Sequence, residues 1–173
     1  MLPTRKEAMT LLRDGLSNNP GPWGKHSLTA AHCAEKIAAA CGDMDAEKAY
    51  VLGLLHDIGR KEQFENPGLC HARVGGDKAY AFLVGAGWTQ ERALRVKQAV
   101  AAHRYRSDNP PESIEAKILF DADKLDVTGA VGIARTLLYK GKMGQPLYTL
   151  QSDGSVSDGM ELSLIHISEP TRP

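Results

Sequence analysis

The amino-acid sequence predicts an all-α fold, a compact bundle of about six or seven helices. Three observations carry that expectation. Apolar residues recur at three- and four-residue spacing along most of the chain. Period-two alternation is scarce. Clusters of glycine, proline and asparagine separate the periodic segments. With 173 residues, 42% apolar and 24% charged, the chain can bury a sizeable core and does not have the composition of a disordered polymer.

A first helix is expected from Thr4 to about Leu16, with Ala8, Leu11, Leu12 and Leu16 on its apolar side. Ser17-Asn18-Asn19-Pro20-Gly21-Pro22 breaks it. A second helix should start near Ser27 and end at Gly42, burying Ala30, Cys33, Ile37 and Ala40. Asp45 reads as the N-cap of a third, with Glu47 favoured in its first turn by the helix dipole. That helix runs through Ala49, Leu52 and Leu55 to His56 and Asp57, and Gly59 should end it. A fourth covers roughly His71 to Val84 and stops at Gly85-Ala86-Gly87. Thr89 caps a fifth, in which Ala93, Val96 and Val100 lead to His103. Ser107-Asp108-Asn109-Pro110-Pro111 is a loop. The sixth helix begins near Pro111 to Ser113 and runs through Ile118, Leu119 and Phe120 to Asp123 and beyond, with Val127 and Ala130 on the same face as Asp123. Lys140-Gly141-Lys142-Met143-Gly144 closes this region, and there is neither an internal repeat nor a low-complexity linker.

The charge balance narrows the function classes. Basic and acidic residues number 21 each, and aromatics are 6%, so there is no global basic footprint and little to stack on bases. No nucleic-acid partner is expected. No apolar run approaches the roughly 18 residues of a membrane span, and no membrane partner is expected. The charged N-terminus MLPTRKEAMTLLRDGL lacks the apolar stretch of a signal peptide, which points to a cytoplasmic protein. Cys33, Cys41 and Cys70 form no C-x-x-C pair and read as buried thiols of an intracellular protein. One domain is expected over residues 1–160. The tail is set apart: LSLIHISEPTR, from Leu162 to Arg172, resembles the translation of a transposase adapter used in sequencing libraries. On that reading residues 162–173 are non-native and His166 is no site residue. Oligomeric state has no signature.

The chemistry concentrates at LGLLHDIGR. An Asp at the end of an apolar helix is costly to bury unless it is paired or bound to a metal. His56 beside Asp57 adds a nitrogen ligand to an oxygen ligand. Adjacent helical residues point about 100° apart. Both can face one ion only where the helix ends, as Gly59 allows. On its own the pair is equally an ordinary helix end. Other candidates accompany it: His26 just before the second helix, His71 opening the fourth, His103 on an apolar stripe, and Asp123 after Ala116, Leu119 and Phe120. An acidic residue there breaks the pattern of a core-facing helix, and such breaks are expected at functional sites. Singly, each has a bland explanation: a hydrogen-bonded core histidine, an internal ion pair, a solvated helix start. Together they are harder to obtain by chance. His32, a turn and a half beyond His26, reads as a surface or packing residue.

His26-Ser27, His56-Asp57-Ile58-Gly59 and Asp121-Ala122-Asp123-Lys124-Leu125-Asp126 resemble the motifs of the HD superfamily of metal-dependent phosphohydrolases, most nearly its small single-domain HDIG type, over about residues 20–140. The resemblance implies an HD-domain-like bundle and a metal set of His26, His56, Asp57 and Asp123. His71 and His103 resemble the two extra histidines that let some members hold a second ion, with Asp57 as the bridge. His71 follows the His-Asp pair by 14 residues, a short interval. Asp57 and Asp123 would be the catalytic carboxylates. Arg60, where many relatives carry Lys, would sit near phosphate with Lys124 and Arg104.

Imidazole and carboxylate ligands together suit a divalent transition metal (Fe, Mn, Zn, Co or Ni, one or two ions) better than an all-oxygen Mg or Ca cage. A bound ion lowers the pKa of its water from 15.7 to about 7 in favourable cases. The implied activity is hydrolysis of a small phosphorylated substrate, a nucleotide or related mono- or diester. Two alternatives stand beside it: a di-iron oxygenase of the same superfamily, and a non-catalytic ligand-binding or regulatory HD domain.

Overall fold

A computed structural model of the chain describes residues 4–16, 23–104, 109–142, 144, 146 and 148–157. The expected breaker at 17–22, residues 105–108 of the expected loop, Met143 and the tail 162–173 lie outside the described residues. The chain forms two compact units, Met1–Leu125 and Asp126–Pro173. The first holds α1 (Arg5–Leu16), α2 (Trp23–Cys41), α3 (Ala46–Leu55), α4 (Arg60–Glu65), α5 (His71–Gly85), α6 (Gln90–Ala102) and α7 (Ile114–Leu125). In the second, α8 (Gly129–Lys142) is followed by two-residue strands, β1 (Thr149–Leu150) and β2 (Val156–Ser157), paired antiparallel with Thr149 opposite Ser157. The fold class is all-α, as the sequence predicts.

The first unit is organised around α3. Ala49 to Leu55 are all buried, the pattern of a helix apolar on every side and enclosed by others. Three clusters surround it. Leu54 and Leu55 pack with Ala8 and Leu12 of α1 and Leu83 of α5. Leu52 packs with Val100 of α6 and Leu119 of α7. Ala49 packs with Ala34 and Ala38 of α2 and Ile118 of α7. Each buried leucine contributes about 1.5–3 kcal/mol from apolar burial. Gly53 sets the distance to α2: a methyl group there would stand 2.5 Å from Ala31 Cα. Its absence lets the two backbones approach.

The caps at Asp45 and Thr89 form as expected, with Asp45 Oδ1 accepting from Lys48 N at 2.9 Å and Thr89 Oγ1 from Arg92 N at 3.4 Å. Several expectations are corrected. α2 starts at Trp23, so His26 lies inside its first turn rather than before it. Its buried face includes Ala30, as expected, together with Ser27, Ala31, Ala34 and Ala38; Cys33 and Ile37 are half-buried and Ala40 is exposed. Small side chains, not the larger Cys33 and Ile37, make the closest contact. α3 stops at Leu55 and the chain turns through residues 56–59, after which Gly59 precedes the short helix α4. α7 ends at Leu125, so Val127 and Ala130 do not continue its face; α8 begins at Gly129, whose φ of 65° interrupts a right-handed helix. None of the three cysteines is buried: Cys41 is exposed, Cys33 and Cys70 are intermediate, and all are free thiols. Among the described residues no helix is long and apolar enough to cross a membrane.

Candidate metal centre

Five elements of the first unit deliver their polar side chains to one place. His26 comes from the first turn of α2, His56 caps the C-terminus of α3, and Asp57 follows in the turn. His71 opens α5, His103 caps α6, and Asp123 stands near the end of α7. All six are buried, with His56 at 0% and Asp57 at 2% exposure. Buried polar groups are expected to be hydrogen-bonded or to bind something.

Asp57 is the centre of the group. Its Oδ2 lies 3.7 Å from His26 Nε2 and 3.5 Å from His56 Nε2. Its Oδ1 lies 3.5 Å from His71 Nε2 and 3.6 Å from His103 Nε2. The carboxylate thus divides four imidazoles into two pairs, one facing each oxygen. Arg60 Nε stands 2.9 Å from Oδ1, yet neither oxygen accepts a well-aligned hydrogen bond among the described residues. Asp123 Oδ1 is 2.9 Å from His26 Nε2 and 3.7 Å from His56 Nε2.

The ring orientations are fixed from behind. His56 Nδ1 donates to Gly53 O at 2.6 Å, and His103 Nδ1 donates to Val100 O at 2.6 Å. His71 Nδ1 donates to Gln63 Oε1 at 2.5 Å. Each acceptor is a carbonyl oxygen, so each Nδ1 carries the hydrogen. In the neutral ring this leaves Nε2 a bare lone pair. His71 Nε2 and His103 Nε2 face each other at 3.3 Å, and His26 Nε2 and His56 Nε2 also at 3.3 Å. Between His71 and His103 two lone pairs face each other and need a proton or a cation between them; His26 Nε2, by contrast, donates to Asp123 Oδ1 at 2.9 Å.

Electrostatics point the same way. Burial lowers His56 to about 4 against the attraction of Asp57. Burial, reinforced by Arg60, lowers His71 to about 2. Both rings are therefore neutral at pH 7, the form that binds metals. Burial by itself would raise Asp57, but His56, His103 and Arg60 override it and hold the carboxylate well below its ordinary range. Burial likewise opposes ionisation of Asp123, and the His26 hydrogen bond and Lys124 outweigh it. The donors fit a cation: neutral imidazoles, ionised carboxylates, and a buried carboxylate without aligned donors. Ligand atoms of His26, His56 and Asp123, and separately of His56, Asp57 and His103, lie within 4.8 Å of one another. That is about twice a metal–ligand distance of roughly 2.0–2.3 Å.

The sequence-predicted cations are distributed around this cluster. Lys124 Nζ pairs with Asp123 Oδ2 and lies 3.5 Å from His103 O. Arg60 contacts Asp57 as described. Arg104 Nη1 instead donates to Cys70 Sγ at 3.7 Å, next in sequence to His71. His32 is excluded: its side chain is 59% exposed, beside Glu35 and the ring of Tyr50. Gln63 and Lys78 carry no signal in the sequence. Lys78 Nζ donates to Ile58 O at 3.0 Å and pairs with Glu62 at 2.6 Å, tying α5 to the turn after His56-Asp57.

Known proteins resemble this chain in fold and in sequence. A predicted HD superfamily hydrolase from an uncultured Thermotogales bacterium superposes with a TM-score of 0.68 at 32% identity, over 81% of this chain and 78% of that one. Bacillus subtilis YpgQ superposes with a TM-score of 0.61 at 30% identity, over 83% and 70% of the two chains. YpgQ has also been solved in complex with ADP. In sequence, YpgQ is 39% identical over 80 residues, 44% of this chain and 39% of that protein. Ribonuclease Y of Nitratidesulfovibrio vulgaris is 35% identical over 101 residues, 58% of this chain and 17% of that protein. The chain thus spans well under half the length of these curated relatives. The HD domain family model matches residues 23–128, more than half of the sequence, and the chain belongs to the HD domain family.

Proposed function

We propose that the chain is a metal-dependent phosphohydrolase acting on a small phosphate ester, of which a nucleotide is the favoured class. The observation that carries the reading is the position of Asp57, whose two buried oxygens each face a pair of imidazoles. The complex of YpgQ with ADP supports a phosphorylated ligand. His26, His56, Asp57 and Asp123 would hold one divalent transition metal, and His71 and His103, with Asp57 shared, a second. Such an ion supplies Lewis-acid polarisation of a phosphoryl oxygen and activation of water.

The protein's own groups do the rest. Asp57 and Asp123 stay ionised at neutral pH and orient the attacking water. The Nδ1 hydrogen bonds of His56, His71 and His103 prevent those rings from turning. Arg60 and Lys124 have side chains 26% and 34% exposed. Both side chains reach solvent while His56 and Asp57 do not, so a phosphate arriving from solvent would meet them first. They would neutralise charge on the phosphoryl oxygens. Arg104, turned towards Cys70, would contribute at longer range.

A screen of phosphorylated metabolites with metal-loaded wild type and Asp57→Asn tests this reading. Wild type should hydrolyse at least one ester, and the variant should lose on the order of 10²–10³-fold or more with its helical signal intact. Activity unchanged in Asp57→Asn, or no turnover by metal-loaded wild type across the panel, overturns it.

A further inference from the structure

We propose that Gln63 is a positioning residue for His71 that sets the strength of the metal pocket on the His71–His103 side of Asp57; the inference rests on the metal-centred reading above. Three of the six clustered residues are histidines with an assigned hydrogen on Nδ1, and their anchors differ in kind. His56 and His103 donate to main-chain carbonyls of their own helices, Gly53 O and Val100 O, each at 2.6 Å. No side-chain substitution removes those acceptors. His71 donates to a side chain, Gln63 Oε1, at 2.5 Å. That acceptor comes from α4, a six-residue helix with no buried residue. α4 is itself tied to α5 through Glu62 and Lys78.

The consequence follows from the lone pairs. While Gln63 accepts the Nδ1 hydrogen, His71 Nε2 is bare and points at Asp57 Oδ1, 3.5 Å away, and at His103 Nε2, 3.3 Å away. Without that acceptor the ring can turn or move its hydrogen to Nε2, and in either case it stops being a ligand. Partners behind metal-binding histidines commonly change affinity by 10–100-fold.

The chemistry of the partner matters as well. A glutamine is neutral and draws less on the Nδ1 hydrogen than a carboxylate would. The His71–His103 side also lacks a second carboxylate among the clustered residues, since Asp123 faces His26 and His56. Arg60 stands 2.9 Å from the Asp57 oxygen on that same side and opposes a cation there. This pocket should therefore be the weaker of the two, and its affinity should follow the residue at position 63.

The test is calorimetric titration of Mn²⁺ into the full chain for wild type, Gln63→Leu and Gln63→Glu, with Co²⁺ absorption spectra and far-ultraviolet circular dichroism alongside. Wild type should bind two ions with unequal affinity. Gln63→Leu should weaken the weaker class by about 10–100-fold and leave the tighter class unchanged. Gln63→Glu should match or exceed wild type in the weaker class. Three results overturn the inference: both classes unchanged in Gln63→Leu, both weakened in parallel, or a Gln63→Glu variant no better than Gln63→Leu. Should Gln63→Leu lose its helical signal, Gln63→Glu decides alone, and a loss of the weaker class there overturns the inference. A wild type that binds one ion overturns it too, while leaving the hydrolase reading standing. A wild type that binds none overturns both.

Discussion

His56 and His103 present their Nε2 atoms to Asp57 by the same device on two different helices. Each is the residue that caps its helix, and each donates Nδ1–H to the carbonyl three residues earlier, 2.6 Å away. Their rings lie 5.1 Å apart and nearly perpendicular, at 84°. A helix C-terminus leaves carbonyls without intrahelical partners. Here a histidine satisfies one and has its outer nitrogen aimed by the backbone in return. The same helix end releases the chain into the turn that brings Asp57 round to face the cluster.

Gly59→Ala should damage both stability and the site. A methyl group at this position would collide with His71 O and Gly75 N, both backbone atoms of α5 that cannot move without moving His71. Overpacking of this kind costs about 1–3 kcal/mol. Urea unfolding should show a loss in that range, and metal titration should show weaker binding. A variant as stable as wild type that binds metal equally well contradicts the close approach of α5 to this turn.

The metal-free protein should lose stability in acid, beginning near neutrality. Burial lowers His56 to about 4, and burial with Arg60 lowers His71 to about 2, both from an ordinary value of 6.5. Below pH 6.5 the unfolded chain therefore takes up protons that the folded chain refuses. The contribution is complete above pH 6.5, falls as the pH drops through about 4, and continues to fall towards 2. Asp57 and Asp123, both held low, act in the same direction at still lower pH. Thermal unfolding with a chelator from pH 8 to 4.5 should show a falling Tm below pH 6.5. A flat profile contradicts the burial of neutral histidines.

Arg5→Ala should loosen α1. The Arg5 guanidinium bridges Glu35 of α2 and Glu47 of α3 and lies 3.9 Å from the ring centroid of Tyr50. These side chains are 29–44% exposed, so water and salt screen the pairs. A loss of about 1 kcal/mol is expected, shrinking as salt is added. Equal unfolding midpoints for wild type and variant at low salt contradict it.

How much of this could be read from residues alone depends on whether the signal was local. His56-Asp57, His103 and Asp123 are legible because each sets a polar group at the end or on the face of an otherwise apolar helical segment, and all four residues are buried in one cluster. The caps at Asp45 and Thr89 were legible because side chain and amide are three residues apart. Gln63 was not legible: its partner is eight residues away on another helix, and α4 has no apolar stripe to mark it as a helix at all. The end of α7 was obscured because Val127 and Ala130 carry the apolar spacing past Leu125, while the glycine at 129 turns left-handed. The start of α2 was hidden by Gly24, a poor helix former, in the first turn. Ala30 is legible in α2 as a buried position, but Ala31 is not, because it is buried by the close approach of Gly53 from α3, a contact that no spacing within α2 reveals.

Diffraction from crystals loaded with Mn²⁺, recorded to locate anomalous scattering, tests the metal centre most directly. A peak is expected within about 2.0–2.3 Å of side-chain atoms of His26, His56, Asp57 and Asp123. Loaded crystals with no peak at that cluster, or with the ion held by other residues, would contradict it.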